Sequence, residues 1–157
     1  MSQFLNDLEV RLYGWGEGSA DWITLASLRY ESAFLGDLVY IPEEFVTDFA
    51  SVPRLPLAYL LAGGRAIRPA VIHDYAYQTH RLPLEKGGIR MVTREEADQV
   101  FREAMESDPW SGTGPCTRGL MWRMVRWFGG AIWDRHGDRQ SLLNPLWTKS
   151  GWPDLAR

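Results

Sequence analysis

Thr93-Arg94-Glu95-Glu96-Ala97-Asp98-Gln99-Val100-Phe101-Arg102-Glu103-Ala104-Met105 sets the frame for the rest of the chain. Thr93 followed three positions later by Glu96 is a reciprocal capping pattern, in which each side chain satisfies a backbone donor of a helix's first turn. Behind the cap, Ala97, Val100, Phe101, Ala104 and Met105 recur at helical spacing and share one face. At 100° per residue Asp98 falls beside Met105, at the edge of that apolar stripe. A carboxylate in that position can reach across to a neighbouring helix.

Two further helices flank this one. Pro69 suits the first turn of a helix running through Thr79, since its missing N–H is not needed there. Pro115 opens another that continues to about Phe128, where Gly129-Gly130 ends or bends it. Upstream the period shortens. Leu8, Val10 and Leu12 alternate with Glu9, Arg11 and Tyr13, and the glycine-rich run from Gly14 to Ser19 breaks the pattern. A second extended segment spans Trp22 to Glu31, and a third runs from Asp37 to Ile41 and stops at Pro42. Connections this short exclude parallel crossovers and imply an antiparallel meander. Strands first and helices afterwards predict the α+β class, a small N-terminal antiparallel β meander followed by a three-helix layer. The expected organisation is a single domain over 1–157, β-rich over 1–54, helical over 55–134, with an irregular arm over 135–157.

Composition narrows the function classes. Seventeen basic and twenty acidic residues give a net charge of −3, with no basic stripe of the kind that phosphate backbones require, so nucleic acid is not an expected partner. No stretch approaches the ~20 apolar residues of a transmembrane helix, and the N-terminal residues lack a charged leader and apolar run. The single Cys116 excludes an internal disulfide and fits a reducing compartment or a virus particle assembled in one. A small buried apolar role is the expectation for that thiol.

The run Ala70-Val71-Ile72-His73-Asp74-Tyr75-Ala76-Tyr77 places two ionisable groups among apolar and aromatic neighbours, where each must find a partner. His73 and Tyr77 are four apart and share a face, and Asp74 is turned about 100° away. If the first two helices pack antiparallel, Asp98 can accept from one ring nitrogen of His73, fix its tautomer and leave the other nitrogen as a base. Asp74 is then available to hold a cation. The competing reading is a buried structural His73-Asp98 pair with Asp74 as a solvated surface acid.

Phe45-Val46-Thr47-Asp48-Phe49-Ala50-Ser51-Val52-Pro53-Arg54, Val71-Ile72-His73-Asp74-Tyr75-Ala76-Tyr77 and Glu96-Ala97-Asp98-Gln99-Val100-Phe101 together resemble the phage and prophage family called domain of unknown function 1353. The similarity covers roughly residues 38 to 130 and implies a phage-related origin without an activity. The pair His-Asp-x-x-Tyr and Ala-Asp-x-x-Phe is also similar to the catalytic helices of calcium-dependent secreted phospholipases, including the disulfide-free phospholipase domain of parvovirus capsids. That second resemblance implies that His73 activates water, Asp74 binds calcium, Asp98 orients the histidine and Tyr77 supports the network. It departs at the calcium loop. Those enzymes use glycine-rich carbonyls, whereas this chain has Thr47-Asp48-Phe49-Ala50-Ser51. Asp48 is a candidate ligand there and Gly63-Gly64 a possible source of carbonyls, against a turn in which Asp48 or Ser51 caps backbone donors. Ser51 in no Gly-x-Ser-x-Gly elbow makes a serine nucleophile the lesser mechanism.

Secondary candidates surround this core. On the third helix Leu120, Met121, Met124, Val125, Trp127 and Phe128 project to one side and Arg118, Arg123 and Arg126 to the other, with Trp122 among the arginines. Trp122 suits an interfacial lipid contact or an indole covered by arginine stems, and eight tryptophans also suit a protein interface. Arg65 and Arg68 are candidates for a lipid phosphate or are solvated loop charges. His80 and His136 lack zinc-ligand spacing.

These readings converge on a phage-encoded, metal-assisted ester hydrolase of phospholipase type acting on the host envelope. The alternatives are a non-catalytic virion or tail-associated protein and a peptidoglycan hydrolase. The expected cofactor is calcium, the expected partners are phospholipid or virion proteins, and the expected location is the host cytoplasm on synthesis, then the virion.

Overall fold

A computed structural model describes residues 1–15, 20–47 and 66–135. Its strands are β1 (Gln3–Phe4), β2 (Val10–Trp15), β3 (Ala20–Thr24), β4 (Leu28–Ser32), β5 (Asp37–Ile41), β6 (Val46–Thr47), β7 (Arg81–Leu84) and β8 (Gly88–Met91). Its helices are α1 (Ile67–Thr79), α2 (Arg94–Ser107) and α3 (Pro115–Phe128), followed by a short helical turn at 130–135. The class is α+β with antiparallel pairing, as the sequence predicts.

The strands divide between two sheets rather than forming one meander. One has the order β1-β4-β5-β7-β8 and the other β2-β3-β6. The segment expected to run unbroken from Trp22 to Glu31 is the point of division. It is cut between β3 and β4, where the Asn6 side chain donates to the Ser27 carbonyl (2.7 Å) and the Thr24 hydroxyl to that of Pro42 (3.0 Å). A second difference lies inside the region expected to be helical. Residues 81–91 form the β7–β8 hairpin, with Arg81 opposite Met91 and Leu84 opposite Gly88. Pro83 concealed it, because proline lowers any strand expectation and leaves one ladder donor missing. Its short length removed any readable alternation.

Period-two burial decides how the larger sheet faces. Leu28, Tyr30 and Ser32 of β4 and Val39 and Ile41 of β5 turn inward. Against them pack Val71, Ile72, Tyr75, Ala76 and Tyr77 of α1 and Ala97, Val100 and Ala104 of α2. A second apolar cluster, Ala70, Phe101, Met105, Met121 and Val125, joins α1 and α2 to α3. Helices α1 and α2 are thus sandwiched between the sheet and α3, which explains why α1 is buried almost all round and carries no clear polar face.

The capping box at Thr93 and Glu96 is complete: Glu96 N donates to Thr93 Oγ1 and Thr93 N to Glu96 Oε2. The face projected for α3 is narrower than its sequence suggests. Met121 and Val125 are buried, whereas Leu120, Phe128 and Trp127 are exposed, Trp127 by 72%. Arg126 turns inward instead, drawn by acidic groups on α2. Cys116 is exposed at the start of α3, contrary to the buried role expected of it.

Candidate active site: a buried histidine-aspartate pair

Helices α1 and α2 run antiparallel, with Arg68 beside Asp108 at one end and Tyr77 beside Asp98 at the other. That arrangement brings His73 onto Asp98: Nε2 lies 3.0 Å from Asp98 Oδ1. The Tyr77 hydroxyl donates to the same oxygen at 2.7 Å. Arg126 Nη1 donates to the other oxygen, Oδ2, at 3.2 Å, while its Nη2 reaches Glu95 at 2.8 Å. The imidazole is held between two rings, with centroids 4.1 Å from Tyr77 and 4.7 Å from Phe101. His73 is 3% exposed and Asp98 fully buried.

The electrostatics follow from these contacts. Burial opposes ionisation of Asp98, but hydrogen bonds from His73, Tyr77 and Arg126 outweigh it and hold the carboxyl below its ordinary value. Tyr77 moves the opposite way: burial and its bond to the Asp98 carboxylate push the phenol far above its usual range, so it remains a donor. All three groups around Asp98 can therefore donate at once.

Gly129 is what lets Tyr77 reach that position. A Cβ built on Gly129 would overlap the Tyr77 hydroxyl and the Val125 carbonyl oxygen. Its backbone, at φ −69°, is ordinary right-handed helix, so glycine is required here by close approach and not by a left-handed cap. Beyond it the Trp133 ring meets Tyr77 edge-on at 5.1 Å and stacks on His80 at 3.9 Å, with His80 Nε2 and the Trp133 carbonyl 3.0 Å apart.

Asp74 is buried, not the solvated acid of the competing reading, and accepts a hydrogen bond from the Thr47 hydroxyl. Among the described residues no three acidic, histidine or cysteine side chains converge on a common point. Asp48, Ser51, Gly63-Gly64, Arg65 and His136 lie outside the described residues.

Arg68 is not free. It forms a two-pronged ion pair with Asp108, reaches Asp7 at 3.4 Å and covers the Phe4 ring at 4.7 Å. With Asp7, Leu8, Val10, Ile67, Asp108 and the 76% exposed Trp110 it lines a surface cleft of about 350 Å³. Trp122 is half-buried against α2, under the Arg102 guanidinium at 5.5 Å from its ring centroid; this is the cation-π arrangement, though the arginine comes from α2 and not from α3.

Residues 22–125 match the family described as protein of unknown function (DUF1353). The chain belongs to that family. The matched span contains every member of the His73, Tyr77 and Asp98 cluster, while Arg126 lies one residue beyond it. No curated protein and no solved structure matches the chain. Membership of DUF1353 therefore brings no reaction with it.

Sequence reasoning missed two residues, Arg126 of the Asp98 cluster and Thr47 beside Asp74. Arg126 was one of three arginines assigned to an outer face, and only the tilt of α3 against α2 singles it out. Thr47 gave a usable signal, a hydroxyl in a short strand, but nothing local pointed it at Asp74.

Proposed function

We propose that this protein is a hydrolase of ester bonds, of phospholipase type, in which His73 is the general base. The observation that carries the reading is the bond from His73 Nε2 to a buried, ionised Asp98 that also receives Tyr77 and Arg126. With Nε2 bearing the proton, the lone pair sits on Nδ1. That nitrogen takes a proton from water as the water oxygen attacks the ester carbonyl. The resulting imidazolium is stabilised by Asp98 and returns the proton to the departing alkoxide. Ester and water become acid and alcohol, with no covalent enzyme intermediate.

The described residues do not complete a calcium shell, which takes six to eight oxygens. Asp74 offers one carboxylate beside Thr47, and the reaction above needs only His73, Asp98 and water. The phage origin, the host envelope as target and a location in the host cytoplasm or the virion belong to this proposal.

Purified protein is assayed on a fluorogenic phospholipid and on peptidoglycan, with calcium or with chelator, beside His73→Ala and Asp98→Asn. Phospholipid cleavage that falls roughly 10²- to 10⁴-fold in His73→Ala supports the proposal. Cleavage of peptidoglycan alone redirects it to the cell wall. The near-complete burial of His73 and Asp98 favours one other reading, a virion or tail-associated protein in which the network fixes helix packing. A folded wild type inert on both substrates, yet incorporated into particles, selects that reading.

A further inference from the structure

We infer that Arg126 is a positioning residue that fixes the proton of His73 on Nε2 by keeping Asp98 an acceptor on both of its oxygens. The inference rests on the hydrolase reading for its kinetic consequence alone; its structural content stands on the geometry of α1, α2 and α3.

An ionised carboxylate only accepts, and a protonated one must donate through one oxygen. Asp98 Oδ1 faces two groups, His73 Nε2 and the Tyr77 hydroxyl, and Oδ2 faces Arg126. Arginine has no acceptor and does not lose its proton in proteins, so Oδ2 accepts from Arg126 and cannot donate to it. Arg126 is itself held, by Glu95 at 2.8 Å through Nη2, which aims Nη1 at Asp98. With Oδ2 so occupied, Oδ1 accepts from both neighbours, and Nε2 has to carry hydrogen. The opposite tautomer would set the Nε2 lone pair against a carboxylate lone pair in a buried site.

Removing Arg126 takes away the cation that offsets burial of this carboxylate. A proton can then settle on Asp98 and form a hydrogen bond to Nε2, while the imidazole takes its hydrogen on Nδ1 instead. Atoms balance: the Nε2 proton passes to the carboxylate and one proton from solvent binds Nδ1, so that Nε2–H beside an ionised carboxylate becomes Nδ1–H beside a neutral carboxyl. The nitrogen that should abstract a proton from water is then blocked.

The test is ¹⁵N NMR of the full chain near neutral pH, with the three imidazoles assigned by loss of one signal set in His73→Gln. Wild type is expected to show His73 as a single Nε2–H tautomer. Arg126→Met should move a major fraction of His73 to Nδ1–H, and Arg126→Lys, which retains a cation within reach of Oδ2, should restore the wild-type pattern. Arg126→Met that is folded by circular dichroism and keeps Nε2–H overturns the inference, as does a wild type in the Nδ1–H form. If Arg126→Met does not fold, Glu95→Gln, which loosens the guanidinium without removing it, must show a partial shift toward Nδ1–H, and its absence overturns the inference equally. On an active substrate Arg126→Met should lower kcat about a hundredfold with KM unchanged. An inert wild type defeats the hydrolase proposal while leaving the tautomer measurement decisive for Arg126.

Discussion

Gly129 stands where the third helix ends against a phenol, and the space it leaves is filled by the Tyr77 hydroxyl. Both neighbours of an added methyl are rigid: one is a buried ring already bonded to Asp98, the other a backbone carbonyl. Gly129→Ala should therefore destabilise the fold by about 1–3 kcal/mol, the usual cost of overpacking, read as a lowered denaturation midpoint. A second prediction concerns Asp98. Its carboxyl is held below the unfolded value of about 3.9, so its contribution to stability is complete above that pH and is lost as pH falls through the folded value. Urea unfolding of wild type between pH 6 and 2 should lose stability more steeply than that of Asp98→Asn; parallel curves would remove Asp98 from the account. The pair itself was legible from sequence because His73 and Asp98 sit where apolar residues belong, and such groups need partners. Arg126 was not, since an arginine on an amphipathic helix looks the same whether it meets water or a buried acid.

At the scale of elements, α2 was the most readable because its start and its face are both local properties. Thr93→Ala removes the hydroxyl that accepts from Glu96 N, and should cost about 1 kcal/mol in thermal or denaturant unfolding. A change below a few tenths would mean that Glu96 alone secures the first turn. The β7–β8 hairpin was hidden for the converse reason. Its inward Leu82, Pro83 and Leu84 carry no alternation, and what makes them a strand is pairing with β5 and cover from the helices. The projection of α3 failed similarly: its wheel shows a broad apolar arc, but the surfaces of α1 and α2 are wide enough to bury only Met121 and Val125 along it.

In the molecule as a whole, polar clamps join segments far apart in sequence. Among the described residues Glu103 of α2 is the densest, accepting at Oε1 from Ser2 Oγ (2.7 Å) and Phe34 N (2.8 Å), and at Oε2 from Tyr30 (3.1 Å) and Ser32 (2.7 Å). It ties the first residues and the β4–β5 connection to the helical layer. Glu103→Gln would turn an amide donor toward groups that themselves donate, and should cost about 1–3 kcal/mol; a variant within error of wild type in a denaturant titration would show that the clamp is dispensable. None of these links was legible, because nothing in Ser2, Ser32 or Glu103 distinguishes a shared acceptor from ordinary surface polarity.

The same carboxylate has a signature in time as well as in energy. Phe34 lies in a surface turn with its ring half in water, a place where backbone hydrogens ordinarily trade with solvent within moments of dilution into heavy water. Its own hydrogen should instead linger for as long as those of the adjoining sheet, since releasing it requires the turn to lift away from the second helix. That delay would be abolished by replacing the acid that anchors it.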